Sequence, residues 1–200
     1  MKRKIRGSIL ILLGLALAFC GAALYARYDR EASLAKHNAE MLLQELNYEL
    51  SQRQLNGVET EAPEGQMPQI LLEGQAVIGV LSVEKLGLEL PIIENWDYEK
   101  LKASPCRYSG SLEEGNLILM GHNYTSHFGR LKELDAGSEI VFFDLEGKAH
   151  TFSIAKTEVL KPNQVEELES SPYPLTIFTC TPSGQSRYVV YCEKSEGIVT

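Results

Sequence analysis

The sequence predicts a mostly-β domain, barrel or sandwich, carried on a single transmembrane helix and a helical stalk. Three observations predict it: an apolar run of bilayer length near the N-terminus, a charged stretch free of Pro and Gly after it, and, from Ile70 onward, short β-branched runs punctuated by turn residues. With 200 residues and 44% hydrophobic side chains the chain holds one sizeable core plus accessory segments. A net charge of −8 argues against a nucleic-acid partner, because phosphate binding needs clustered Lys and Arg to displace counterions.

The one dense basic cluster, Lys2, Arg3, Lys4 and Arg6, makes residues 1–6 a basic tail. Gly7 to Ala26 follows almost without interruption by polar groups, and at 1.5 Å per residue it extends about 30 Å, the thickness of a bilayer core. The positive-inside rule keeps the tail cytoplasmic and places the remainder outside the cell membrane. The run is long for a cleaved signal and no small-x-small site closes it, so it reads as an anchor. Residues 27–55 form a juxtamembrane stalk in which Leu34, Met41, Leu42, Leu46 and Leu50 recur at helical spacings. That stripe is too short and irregular for a coiled coil, so the stalk reads as a spacer. Residues 56–69, with Asn56-Gly57, Pro63, Gly65, Pro68 and three glutamates, have the composition of a linker.

Residues 70–200 are the working domain. Strands are expected at Val77 to Val83, Leu88 to Glu94, Asn116 to Gly121, Glu139 to Asp144, Ala149 to Leu160, Leu175 to Cys180 and Ser186 to Glu193. Short helices are expected at Asp97 to Lys102, His127 to Leu134 and Gln164 to Glu169. Many strands with brief helical insertions point to an architecture that closes on itself and hides its sheet edges.

Within this domain the chemistry centres on Cys180. The run Leu175 to Cys180 is a strand that stops at the cysteine, because Thr181-Pro182-Ser183-Gly184 is turn chemistry. A strand end fixes a side chain while leaving it accessible. The chain restarts at Arg187, so a hairpin brings Arg187 beside Cys180, where a guanidinium can stabilise a developing oxyanion or stand as an ordinary cross-strand arginine. By period-two alternation Arg187, Val189 and Tyr191 share one face and Tyr188, Val190 and Cys192 the other. A nucleophilic thiol also needs a proton acceptor. His37 lies in the stalk and His150 in a hairpin strand, whereas His122 leaves the apolar strand Asn116 to Gly121 just as Cys180 leaves its own; His127 is the alternative.

These residues resemble the sortase family, the membrane-anchored cysteine transpeptidases of Gram-positive bacteria. Thr176-Ile177-Phe178-Thr179-Cys180 is similar to the family's Thr-Leu-x-Thr-Cys signature, with the family's Arg following on the next strand. Ile78 to Val83 with Leu90-Pro91-Ile92 resembles the first hairpin, and Gly115 to His122 the strand that ends in Gly-His. The resemblance implies a closed β-barrel of about eight strands, a class D or class B-like subclass, and Cys180, His122 and Arg187 as catalytic residues. It implies cleavage of a C-terminal LPxTG-like sorting signal between Thr and Gly, and transfer through a thioacyl-enzyme to an amine. The implied partners are secreted proteins bearing that signal and an acceptor such as a lipid-linked peptidoglycan precursor or a pilin lysine. A hydrolytic cysteine peptidase and a non-catalytic tethered binding domain are the competing readings.

Thr179, Val189, Tyr191, Pro91 and Ile92 are candidate substrate contacts, and Asn123, Asp135 or Asp144 could orient His122. An extracellular domain could also pair Cys106 with Cys192. Calcium is conceivable at Glu113 and Glu114, but adjacent surface carboxylates are usually solvated, and no metal or cofactor is assigned.

Overall fold

The computed structural model describes residues 2–57 and 67–195; most of the expected linker, residues 58–66, lies outside the described residues. Helix α1 (Lys2–Asn56) is unbroken through anchor and stalk, and it ends where Gly57 adopts the left-handed conformation (φ 63°) that terminates helices. It is the one described helix long and apolar enough to cross a membrane.

The second half of α1 differs from the spacer expected of it. Ala35, Ala39, Leu42 and Leu46 are buried, and Leu42, Leu46 and the half-buried Leu50 pack on Ile70, Val77, Ile93, Leu101, Cys106 and Leu145. The alanines carry only a methyl group, which lets the helix backbone approach the barrel. Leu34 and Met41, two members of the stripe read from sequence, face solvent. The stripe was irregular because only one side of it faces the domain.

The domain is a closed barrel. Its strands are β1 (Ile70–Leu72), β2 (Gln75–Val83), β3 (Leu88–Ile93), β4 (Cys106–Ser109), β5 (Leu117–Gly121), β6 (Glu139–Asp144), β7 (Ala149–Leu160), β8 (Leu175–Cys180) and β9 (Arg187–Lys194). The hydrogen-bonded order is β1-β2-β3-β4-β5-β8-β9-β7-β6, and β6 pairs back onto β2, so eight strands form the ring and β1 extends one edge of β2. Closure depends on Gly79 at the bulge in β2, because a Cβ there would overlap the Phe143 carbonyl and the Phe142 ring of β6.

Helix α2 (Tyr98–Ala103) is capped by Asp97, whose carboxylate accepts from the Glu99 and Lys100 amides. The helix expected from His127 to Leu134 is reduced to one 3₁₀ turn at Leu131–Glu133, because the Tyr124 carbonyl accepts from both the His127 and Gly129 amides and curls the chain first. Gln164 to Glu169 lies within a 3₁₀ segment, Pro162–Ser170.

Alternation along the strands divides the core in two. Leu117, Leu119, Leu175, Ile177, Val190 and Cys192 point into the barrel with Phe142 and Phe152. Ile118, Phe178, Val189 and Tyr191 point outward, where Val165 and Leu168 of the 3₁₀ segment cover them. Cys106 and Cys192 are both free and buried, in separate clusters, so the disulfide considered from sequence is not formed. Burial pushes each thiol up to about 12.

Because Leu46 is fully buried against the barrel, Leu46→Ala should destabilise the domain by about 2–4 kcal/mol. Urea unfolding of the detergent-solubilised chain measures this, and an unchanged midpoint would mean that α1 is not docked.

Candidate active site

Strands β5 and β8 run parallel, in register from Leu117 opposite Leu175 to Gly121 opposite Thr179. Parallel strands release their chains at the same end of a sheet, so the residues that follow, His122 and Cys180, emerge together. Thr179 Oγ1 donates to the Gly121 carbonyl at 2.8 Å and fastens the two strand ends. Phe128 packs against Gly121 so closely that a Cβ there would come within 2.7 Å of its ring.

Antiparallel β9 sets Arg187 opposite Cys180. The hairpin is closed by the Thr181 amide donating to the Ser186 carbonyl at 2.9 Å and the Gly184 amide to the Thr181 carbonyl at 2.8 Å. The Arg187 guanidinium donates through Nη1 to the Gly184 and Ser186 carbonyls, each at 3.2 Å, and so lies along the turn. Cys180, His122 and Arg187 are all half-buried.

The two candidate histidines differ sharply. Burial lowers the pKa of His122 and the Lys102 ammonium lowers it further, while the Glu31 carboxylate of α1 acts in the opposite sense. His127 is fully buried, and neither ring nitrogen makes a well-formed hydrogen bond. Burial, reinforced by the charge of His122, pulls it down to about 4, which the nearby Ala35 carbonyl only partly offsets. His127 is therefore a neutral packing group between α1 and the barrel.

A cavity of about 440 Å³ opens at this end, lined by Cys180, Pro182, Tyr188, Asn123, Lys132 and Tyr28, among others. Tyr28 belongs to α1: its hydroxyl donates to the Asn123 carbonyl at 3.3 Å and its ring lies 5.8 Å from that of Tyr124, which is 4.9 Å from His122. Tyr28, Glu31, Lys102 and Tyr124 thus join a site in which the sequence reading did not place them. Nothing in their spacing signals it, since Tyr28 and Asn123 are 95 residues apart.

The candidate substrate contacts separate. Val189 and Tyr191 share the outer face of β9 with Arg187, but both are buried beneath the 3₁₀ segment and neither lines the cavity. Thr179 lines the cavity, but its hydroxyl is engaged with Gly121. Ile92 lies in the barrel interior, and neither it nor the buried Pro91 lines the cavity. Two candidates for orienting His122 are occupied elsewhere, Asp144 with His150 (2.7 Å) and Asp135 with Lys85 (2.8 Å).

Because the His127 pKa falls from its unfolded value near 6.5 to about 4, the unfolded chain binds the extra proton between those values, and stability falls as pH drops through that window. Unfolding midpoints at pH 7.5 and 4.5 should differ by roughly 2 kcal/mol more in the native chain than in His127→Phe. Equal differences would remove His127 as the cause.

Comparison with known proteins agrees with this architecture. The family model described as the sortase domain matches residues 81–195. Sortase D of Bacillus subtilis (strain 168) is 30% identical over 128 residues, 59% of this chain and 63% of that protein. Sortase A of Bacillus anthracis is 26% identical over 127 residues, 60% of each. The chain thus spans about 60% of the length of these curated relatives. Among solved structures, the Clostridium perfringens sortase D5 transpeptidase shares the fold with a TM-score of 0.56 at 22% identity, over 82% of this chain and 99% of that one. Sortase C1 of Streptococcus agalactiae does so with a TM-score of 0.55 at 22% identity, over 63% and 71%. The domain match covers more than half the chain and the barrel is shared with solved sortases: the chain belongs to the sortase family.

Proposed function

We propose that the chain is a membrane-anchored cysteine transpeptidase, with Cys180 as nucleophile, His122 as acid and base, and Arg187 as oxyanion donor. The observation that carries this reading is the convergence at one barrel end of two parallel strand exits, His122 and Cys180, with Arg187 opposite the cysteine across the hairpin. The thiolate of Cys180 attacks the carbonyl of a scissile peptide bond, and Arg187 with nearby backbone amides stabilises the tetrahedral oxyanion. The His122 imidazolium protonates the departing amine as the C–N bond breaks, leaving a thioester on Sγ. A second amine gives its proton to His122, attacks the thioester and expels the thiolate. One amide is exchanged for another with no net redox change.

The substrate in this reading is a secreted protein with an LPxTG-like C-terminal signal, cut between Thr and Gly, and the acceptor is a cell-wall precursor or pilin amine. The cavity of about 440 Å³ lined by Cys180, Pro182 and Tyr188 supports it, since it leaves room beside the thiol for a peptide chain. Similarity to Bacillus subtilis Sortase D and to the fold of the Clostridium perfringens sortase D5 transpeptidase favours a class D assignment. The apolar start of α1 serves as the anchor, with its basic end cytoplasmic and the barrel outside.

The test is product analysis with a sorting peptide, with and without an added amine. Transfer product that forms only with the amine supports the transpeptidase, whereas free acid formed equally in both cases supports a hydrolase. Cys180→Ala should abolish thioacyl-enzyme detected by intact mass. Arg187→Lys should lower kcat/KM by about 10- to 1,000-fold, because an ammonium lacks the planar fork of donors.

A thiolate–imidazolium pair gives a bell-shaped pH profile. The Lys102 charge depresses His122, so Lys102→Met should raise that pKa and move one limb of the kcat/KM profile to higher pH. A profile whose two limbs both stay in place would detach Lys102 from the site.

A further inference from the structure

We propose that the catalytic end of the barrel rests on the outer surface of the bilayer that α1 spans, so that the mouth of the Cys180 cavity opens at the level of the lipid headgroups. The proposal rests on the reading of α1 as a membrane anchor and adds to it where, and which way up, the site sits.

The first support is the continuity of α1. The apolar run ends at Ala26, and Tyr28 follows on the same unbroken helix only ~3 Å farther along the axis. The headgroup zone on each side of a bilayer is about 5–8 Å deep, so Tyr28 lies inside it. Tyr28 is also a wall of the Cys180 cavity, bonded to the Asn123 carbonyl at 3.3 Å, and one turn later Ser126 Oγ reaches the Ala32 carbonyl at 3.5 Å. The catalytic loop is therefore fastened to the first turns of helix beyond the hydrocarbon. The rest of the domain docks farther up, from Ala35 to Leu50, which is ~33 Å above Tyr28. A barrel attached in this way stands with its active end on the membrane.

The second support is charge. The chain has 27 Asp and Glu residues, yet the two segments that build the catalytic end, residues 115–132 and 170–192, contain none. They carry Arg130, Lys132 and Arg187 instead, while α1 at the same level carries Arg27 and Arg30 balanced by Asp29 and Glu31. The two segments are thus net cationic and the helix beside them is balanced, so the loops of this end are attracted to an anionic phospholipid surface. Tyr25, 72% exposed at the end of the apolar run, suits the polar–apolar boundary that amphipathic rings occupy. A peptide or acceptor tethered to the same bilayer then meets Cys180 while moving in the membrane plane.

Nitroxide labels test this on the full chain in nanodiscs containing anionic lipid and nickel-chelating headgroups. A label on Cys180, in a Cys20→Ser background with Cys106 and Cys192 buried, should be relaxed several-fold more strongly by the headgroup nickel than a label at Ser51→Cys. Insertion of about seven helical residues between Ala26 and Arg27 lifts the site by ~10 Å and should abolish the difference, leaving cleavage of a soluble peptide intact. A label on Cys20 with Cys180→Ser reports the anchor itself: relaxed by oxygen and shielded from aqueous nickel, it lies in hydrocarbon. If Cys20 is in hydrocarbon and Cys180 is no closer to the headgroup nickel than Ser51, the proposal fails on its own. If Cys20 is in water, the anchor reading fails and takes the proposal with it.

Discussion

The parallel pairing of β5 and β8 is the constraint on which the candidate site depends. Had these strands been antiparallel, His122 and Cys180 would leave opposite ends of the barrel. Parallel neighbours need a crossover, and here the chain between them supplies β6, β7 and the 3₁₀ segment, which together close the ring and cover its outer apolar face. The same stretch of chain that joins the two strand ends therefore also builds the wall beside them. Arg187 requires less, because a short antiparallel hairpin brings it to Cys180 with no help from the rest of the fold.

What could be read from the sequence follows the same division between local and distant. Seven strands were visible because their β-branched runs are bounded by turn residues, and the Cys180–Arg187 hairpin because its turn is short. Strand β1 is only three residues long, and β4, Cys106–Ser109, offers one fully buried apolar position between polar ones, so neither shows a period-two signal. The helix over His127 to Leu134 failed for a different reason: the residues have helical propensity, but the Tyr124 carbonyl takes two amides and curls the chain before a helix can start. Pro91 and Ile92 were candidates through their position in a recognisable hairpin, and the structure buries both away from the cavity.

The choice between His122 and His127 illustrates how burial decides roles that spacing leaves open. Both follow the same strand exit, five residues apart. One stays half-exposed at the strand end shared with Cys180, while the other is sealed against α1 without a well-formed hydrogen bond. That seal exists only because α1 returns to the barrel, and no local pattern announces the return. Tyr28 and Glu31 entered the site by the same route, as members of a segment whose composition described a stalk and whose packing makes it part of the domain.

Four cysteines in one chain would ordinarily invite mispairing under oxidising conditions, and their placement removes that hazard. Cys106 and Cys192 sit in different packed clusters with their thiols pushed up to about 12, so they carry almost no thiolate at neutral pH and have no path to each other. Cys20 lies on the apolar part of α1, far along the helix from the cavity. Cys180 is thus the one half-exposed thiol of the folded domain. An oxidant or electrophile meets a single target there, and damage reaches the candidate site before it can reach the packing that holds the fold.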